Sequence, residues 1–209
     1  MKKIILTLAA LVVILTAKGQ DYKFGIKSSF TFNKVFSEQF ATTMGYAEKT
    51  SIRFGTQSGI YGAYVIAERL HLQAELLYGY QGYKIRGDYE HLAMTLNYIN
   101  LPIMAKYYLV DGFSVEAGPQ LGFCFGGNYT YNCAGRDFNV TLPSDSYNKI
   151  DISLVAGATY DMEYLSLWIR YAIGFIPVFK TTDATNHYFF PENAKNNVFS
   201  IGLAYRFLR

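Results

Sequence analysis

The sequence predicts an all-β protein, an eight-stranded antiparallel up-and-down transmembrane β-barrel. Three observations carry that expectation. Six consecutive segments alternate with a period of two and keep one face apolar, the pattern of strands with one side turned to an apolar medium. The connections between segments alternate strictly between short and long. The chain is 17% aromatic, with 19 Tyr and 16 Phe against one Trp, and only 17% charged, where soluble domains average roughly 25% charged residues.

The first twenty residues stand apart. Lys2 and Lys3 precede an apolar run from Ile4 to Thr16, and Ala17-Lys18-Gly19 places small residues at the −3 and −1 positions of a cleavage site. This predicts a secretory signal over 1–19, removed to leave a mature barrel of 20–209. The run falls short of the roughly 20 residues that a spanning helix needs. Removing Lys2, Lys3 and Lys18 leaves 16 basic residues against 16 acidic ones, so the formal net charge of +3 belongs to the leader. A neutral mature chain gives no reason to expect a nucleic-acid partner.

The strands are expected near 22–33, 57–67, 70–83, 95–109, 112–126, 149–160, 164–176 and 196–208, the first two being the most ambiguous. In the third, Leu70, Leu72, Ala74, Leu76, Tyr78 and Tyr80 oppose His71, Gln73, Glu75, Gly79 and Gln81, with Leu77 the apolar intruder. The fourth sets Ile99, Leu101, Ile103, Ala105 and Tyr107 against Asn100, Pro102, Met104 and Lys106. In the fifth, Phe113 to Phe123 on alternate positions oppose Ser114, Glu116, Gly118, Gln120 and Gly122. The sixth places Ile150, Ile152 and Leu154 against Asp151 and Ser153; the seventh, Leu165, Leu167 and Ile169 against Ser166, Trp168 and Arg170. The eighth sets Phe199, Ile201, Leu203, Tyr205 and Phe207 against Ser200, Gly202, Ala204 and Arg206.

The short connections are Glu68-Arg69, Val110-Asp111-Gly112 and Asp161-Met162-Glu163; the long ones cover about 34–56, 84–94, 127–148 and 177–195. Outer-membrane barrels show this rhythm, with short periplasmic turns and long outer loops. An even strand count leaves both termini in the periplasm. The expected location is therefore the outer membrane of a Gram-negative bacterium. The polar face also carries Gly25, Gly59, Gly79, Gly118, Gly122, Gly157, Gly174 and Gly202. Side chains fill the interior of a barrel this narrow, so these glycines are expected to make room for Tyr61, Tyr98, Tyr108 and Trp168.

The stretches LQAELLYGYQGYK (72–84), LNYINLPIMAKYY (96–108), VEAGPQLGF (115–123) and SIGLAYRF (200–207) resemble the PorT-like outer-membrane β-barrel family of Gram-negative bacteria. The likeness spans about 57–207. It implies fold and location, and for one branch a link to protein secretion. One departure is the terminus: Leu208 and Arg209 follow Phe207, where many such barrels end on an aromatic residue read by the insertion machinery.

Eight charged residues fall on the inward face: Lys23, Lys27, Glu75, Lys106, Glu116, Asp151, Arg170 and Arg206. A lone buried charge costs several kcal/mol, so they are expected to pair and plug the lumen. A narrow pore lining and a catalytic acid–base pair are the rival readings. His71, His91 and His187 are scattered. Asp88 and Glu90 beside His91, or Asp183 near His187, offer only weak catalytic or metal constellations. Cys124 and Cys133, with no CxxC spacing, are expected to form a disulfide at the outer rim. No nucleotide loop or GxSxG elbow occurs, so no catalytic residues, metal or cofactor are expected. The expected role is structural or binding, with the loops 127–148 and 177–195 as recognition surface. The expected partners are outer-membrane lipid, the insertion machinery and other envelope or secretion proteins. Alternatives are a narrow channel or secretion accessory, a lipid-modifying enzyme and a soluble lipocalin-like barrel.

Overall fold

A computed structural model describes residues 22–36, 49–86, 90–133, 136–180 and 193–208. The expected signal over 1–19 lies outside the described residues. Ten strands form: β1 (Tyr22–Phe36), β2 (Lys49–Ser51), β3 (Arg53–Ala67), β4 (Leu70–Arg86), β5 (Glu90–Val110), β6 (Phe113–Cys133), β7 (Arg136–Thr141), β8 (Ile150–Asp161), β9 (Leu165–Pro177) and β10 (Lys195–Leu208). Eight are staves. They run antiparallel in the circular order β1-β3-β4-β5-β6-β8-β9-β10, and β10 returns to β1 from Phe24↔Leu208 to Phe36↔Lys195. Closure leaves the staves without a free edge, as hydrocarbon requires of a spanning sheet. β2 extends the line of β3 along β4, and β7 folds back on β6.

The long connections proved shorter than expected, because the strands continue past the point where their alternation stops being apolar outward. β4 and β5 approach to a gap of three residues, and β6 runs to Cys133 before β7 turns back. β5 and β6 have 21 residues each, about twice what a tilted crossing needs. The cause is visible on β5. Ile99, Leu101 and Ile103 point outward opposite buried Asn100 and Lys106, whereas higher up Met94, Leu96 and Tyr98 are buried and Thr95 and Asn97 face out. The pattern changes sign where the strand leaves lipid for water. A register shift at Asn97/Tyr98 marks the same level.

Outward apolar residues encircle the staves. Ile26 and Phe30 on β1, Ile60 on β3, Leu76 on β4, Ile103 on β5, Leu154 on β8 and Ile169 on β9 are all exposed. This belt overturns the soluble lipocalin-like alternative, which would bury its apolar side chains inside. Tyr64, Tyr107, Tyr160 and Tyr205 lie toward the turn end of the belt, and Phe54, Tyr80, Phe125 and Phe175 toward the other, the two aromatic girdles of a membrane barrel.

Gly25, Gly122 and Gly202 face Tyr61, Tyr98 and Trp168 as expected, whereas a Cβ at Gly59, Gly79, Gly118 or Gly174 would first meet a carbonyl oxygen of the neighbouring strand. A Cβ on Gly25 would lie 2.6 Å from Cε1 of Tyr61, and one on Gly202 would lie 2.7 Å from Cζ2 of Trp168 and 2.3 Å from the Ser28 carbonyl oxygen. Backbone and ring cannot both withdraw. Gly202→Ala is expected to lower stability by about 1–3 kcal/mol, the usual cost of overpacking. Urea unfolding in lipid vesicles measures the loss; an unchanged midpoint would mean that the ring has room to move.

Candidate functional site

The lumen is organised in three layers. The central one is ionic. Arg170 on β9 donates from Nη1 to Glu75 Oε2 at 2.8 Å, from Nη2 to Glu75 Oε1 at 2.7 Å and from Nε to Glu116 Oε1 at 2.6 Å. Lys27 Nζ reaches Glu75 Oε1 at 2.9 Å. Gln73 Nε2 also donates to Glu75, and Thr159 Oγ1 to Glu116 at 3.2 Å. Five strands contribute: period-two alternation points each of these residues inward, and the stagger between strands, as in Glu116↔Gly157 and Gly157↔Arg170, brings them to one height. The indole of Trp168 lies 4.3 Å from Lys27 Nζ and 5.0 Å from Arg170 Cζ, so the ring adds cation–π attraction.

At the turn end, Lys106 Nζ donates to Asp161 Oδ2 at 2.8 Å; Tyr108 and Ser166 donate to the same carboxylate, Ser166 at 2.5 Å. Lys23 Nζ sits 5.7 Å from the Tyr108 ring centre. His71 packs on Tyr108 with ring centres 4.6 Å apart. A cavity of about 310 Å³ opens between the first two turns, lined by Lys23, His71 and Tyr108 among others. A smaller one of about 20 Å³ shares those three residues and reaches Trp168.

The loop-end layer is apolar. Tyr83, Met94, Leu96, Tyr98 and Cys124 pack with Leu142, Tyr147, Val178, Phe179 and Ala194, all buried. The last five come from the connections that follow β7 and β9 and lead into β10. A backbone bridge between Tyr147 and Phe179 ties two of those connections across the mouth.

Of the eight inward charges, Lys27, Glu75, Glu116 and Arg170 converge, and Lys106 pairs with Asp161. Three do not join. Asp151 was expected to pair with a cation; instead Asn196 Nδ2 donates to its Oδ2 at 3.2 Å. Asp151 lies six residues along β8 from Gly157, the partner of Arg170, a rise of about 20 Å. Arg206 caps the last turn through the carbonyls of Met162, at 3.2 Å, and Glu163. Lys23 has no carboxylate partner among the described residues. The sequence places Asp161 in a short turn, Asp161-Met162-Glu163. Its parity with Asp151, Ser153 and Thr159 would have placed it inside.

The expected disulfide is overturned. Cys124 is a buried free thiol. Cys124 and Cys133 lie nine residues apart on one extended strand, roughly 30 Å, against about 6 Å between Cα atoms in a disulfide. The loop reading of 127–148 concealed that strand. His187 and the aromatic cluster at 188–190 lie outside the described residues, as does the His91 side chain. Among the described residues no three His, Cys, Asp or Glu side chains gather as a metal site.

A closed antiparallel barrel with an apolar belt, aromatic girdles and a filled polar lumen defines a bacterial outer-membrane protein. The chain belongs to the outer membrane protein beta-barrel domain family, whose model matches residues 18–180. That places it in the Gram-negative outer membrane. Among solved structures it is similar to Ail, the attachment invasion locus protein of Yersinia pestis, with a TM-score of 0.50 and 11% identity over 90% of this chain and 100% of that one. Neisserial surface protein A matches with a TM-score of 0.51 and 15% identity over 88% of this chain and 97% of that one. At these identities the likeness concerns the fold. Comparison with curated proteins gives no match.

Proposed function

We propose that the protein is a sealed barrel with a structural or binding role, presenting its extended hairpins outside the membrane, rather than a channel or an enzyme. The observation that supports this most is the double closure of the lumen. Lys27, Glu75, Glu116 and Arg170 are each no more than 5% exposed, and the apolar layer above them holds residues from two connections, β7–β8 and β9–β10. Ions crossing would have to displace both a satisfied ionic layer and a packed apolar one. The β6–β7 hairpin carries the sheet beyond the apolar belt, with Thr130 Oγ1 donating to Asn139 Oδ1 at 2.6 Å across the strands. Recognition surfaces on rigid scaffolds are usually built this way. The segments resembling the PorT-like family lie on β4, β5, β6 and β10, and favour envelope or secretion proteins as partners, beside lipid and the insertion machinery.

Planar-bilayer recording tests the reading. The expected result is no steady single-channel conductance. A stable channel whose conductance changes in Glu116→Ala would replace this reading with the pore.

A further inference from the structure

We propose that the vestibule at the turn end is an oxyanion site facing the periplasm, taking a small phosphate-type anion against Lys23 and His71, with Arg206 behind them. The inference adds a second face to the proposed binding role and does not depend on it. Its first support is the imbalance of charge. The inner cavity is lined by Lys23, Lys27, Lys106 and Arg206 and by a single acid, Asp161. Lys27 is neutralised by Glu75 and Lys106 by Asp161. Lys23 and Arg206 remain without a carboxylate partner among the described residues, in a lumen where charge is poorly screened.

The second support is the kind of group left unsatisfied. Two lining residues carry a buried polar atom with no hydrogen-bond partner among the described residues, Trp168 at Nε1 and Arg206 at Nε. Both are N–H donors. A deficit of donors would suit a cation; an excess of donors beside uncompensated cations suits an anion with several acceptor oxygens. The third support is size. The inner cavity of about 20 Å³ holds one water, which occupies roughly 30 Å³ in the liquid but little volume at its centre. The vestibule of about 310 Å³ has room for a phosphate with part of its hydration. The vestibule's own lining is charge-balanced, Lys23 and Arg69 against Glu68 and Asp111. The last three are exposed, so solvent and salt weaken their influence, and the excess of positive charge and free donors behind Lys23, in the inner cavity, sets the sign of the field there.

Trp168 is the only tryptophan in the chain and lines the inner cavity, which supplies a reporter. Inorganic phosphate is titrated into the detergent-folded protein at constant ionic strength, with chloride as the balancing anion, and Trp168 emission is followed. A saturable response that chloride does not reproduce is expected. Lys23→Gln and His71→Ala should each weaken it, the first about tenfold, the loss of one charge-assisted contact. Lys149→Ala, at the opposite end, should leave the affinity unchanged. The heat-modifiable gel shift checks that each variant is folded, and the pair of vestibule variants keeps the test decisive if one is not. The proposal is overturned by a response that fails to saturate, by an equal response to chloride, by unchanged affinity in the folded vestibule variants, or by equal weakening in Lys149→Ala.

Discussion

Arg170→Ala is expected to lower the stability of the folded barrel by about 3–5 kcal/mol, the cost of removing one partner from a buried ion pair. The guanidinium makes three of the bonds in the central layer and is the only cation bonded to Glu116 among the described residues. Without it, Glu75 keeps Lys27, but Glu116 keeps only the Thr159 hydroxyl. Glu116 Oε2 already lacks a partner, so the uncompensated charge cannot be absorbed locally. Arg170→Lys should recover part of the loss, since an ammonium restores the charge but not the fork that spans two carboxylates. In the double variant Arg170→Ala/Glu116→Ala the two losses should be less than additive, because the second substitution removes the charge stranded by the first. Urea unfolding in lipid vesicles, read by the heat-modifiable gel shift, measures the parent, Arg170→Ala, Arg170→Lys, Glu116→Ala and the double variant. A loss below about 1 kcal/mol in Arg170→Ala would mean that the layer is solvated like a surface ion pair.

The staves were legible because lipid imposes a periodic demand on every one of them. Leu72, Ala74 and Leu76 must alternate with Gln73 and Glu75, and the sequence shows it directly. Height within the lumen was not legible. Asp151 and Glu116 share the inward face, yet which of them meets Arg170 depends on the stagger between strands, set by pairings such as Gly157↔Arg170 and Gly122↔Asp151. Alternation says which side a residue faces and is silent on its level. The apolar plug was missed for a related reason. Met94, Leu96 and Tyr98 continue the period of two with reversed sign: the apolar outward pattern ends at Ile99, the strand expected from 95 leaves Met94 in a loop, and nothing in the alternation marks Leu96 and Tyr98 as part of an apolar layer. The disulfide expectation failed with it, since a loop would have let Cys133 return to Cys124 and a strand does not.

Ile169→Arg is expected to cost about 2–4 kcal/mol, the penalty for arginine on the lipid face near the middle of a barrel. Ile169 lies between Ile201 on β10 and Ala158 on β8, away from both aromatic girdles, and is 44% exposed in the absence of lipid. Its neighbour Arg170 is 5% exposed and bonded at three nitrogens. One step along the strand therefore moves the same side chain from a site that needs it to a medium that offers no partner. Ile169→Leu, matched in volume, should stay within about 1.5 kcal/mol of the parent, which separates the effect of charge from that of shape. The bilayer supplies a further control. In thinner vesicles the guanidinium reaches the headgroups more easily, so the penalty should shrink there, whereas the Arg170→Ala penalty should not depend on thickness. An Ile169→Arg protein as stable as the parent in thick vesicles would show that this face of β9 does not meet hydrocarbon.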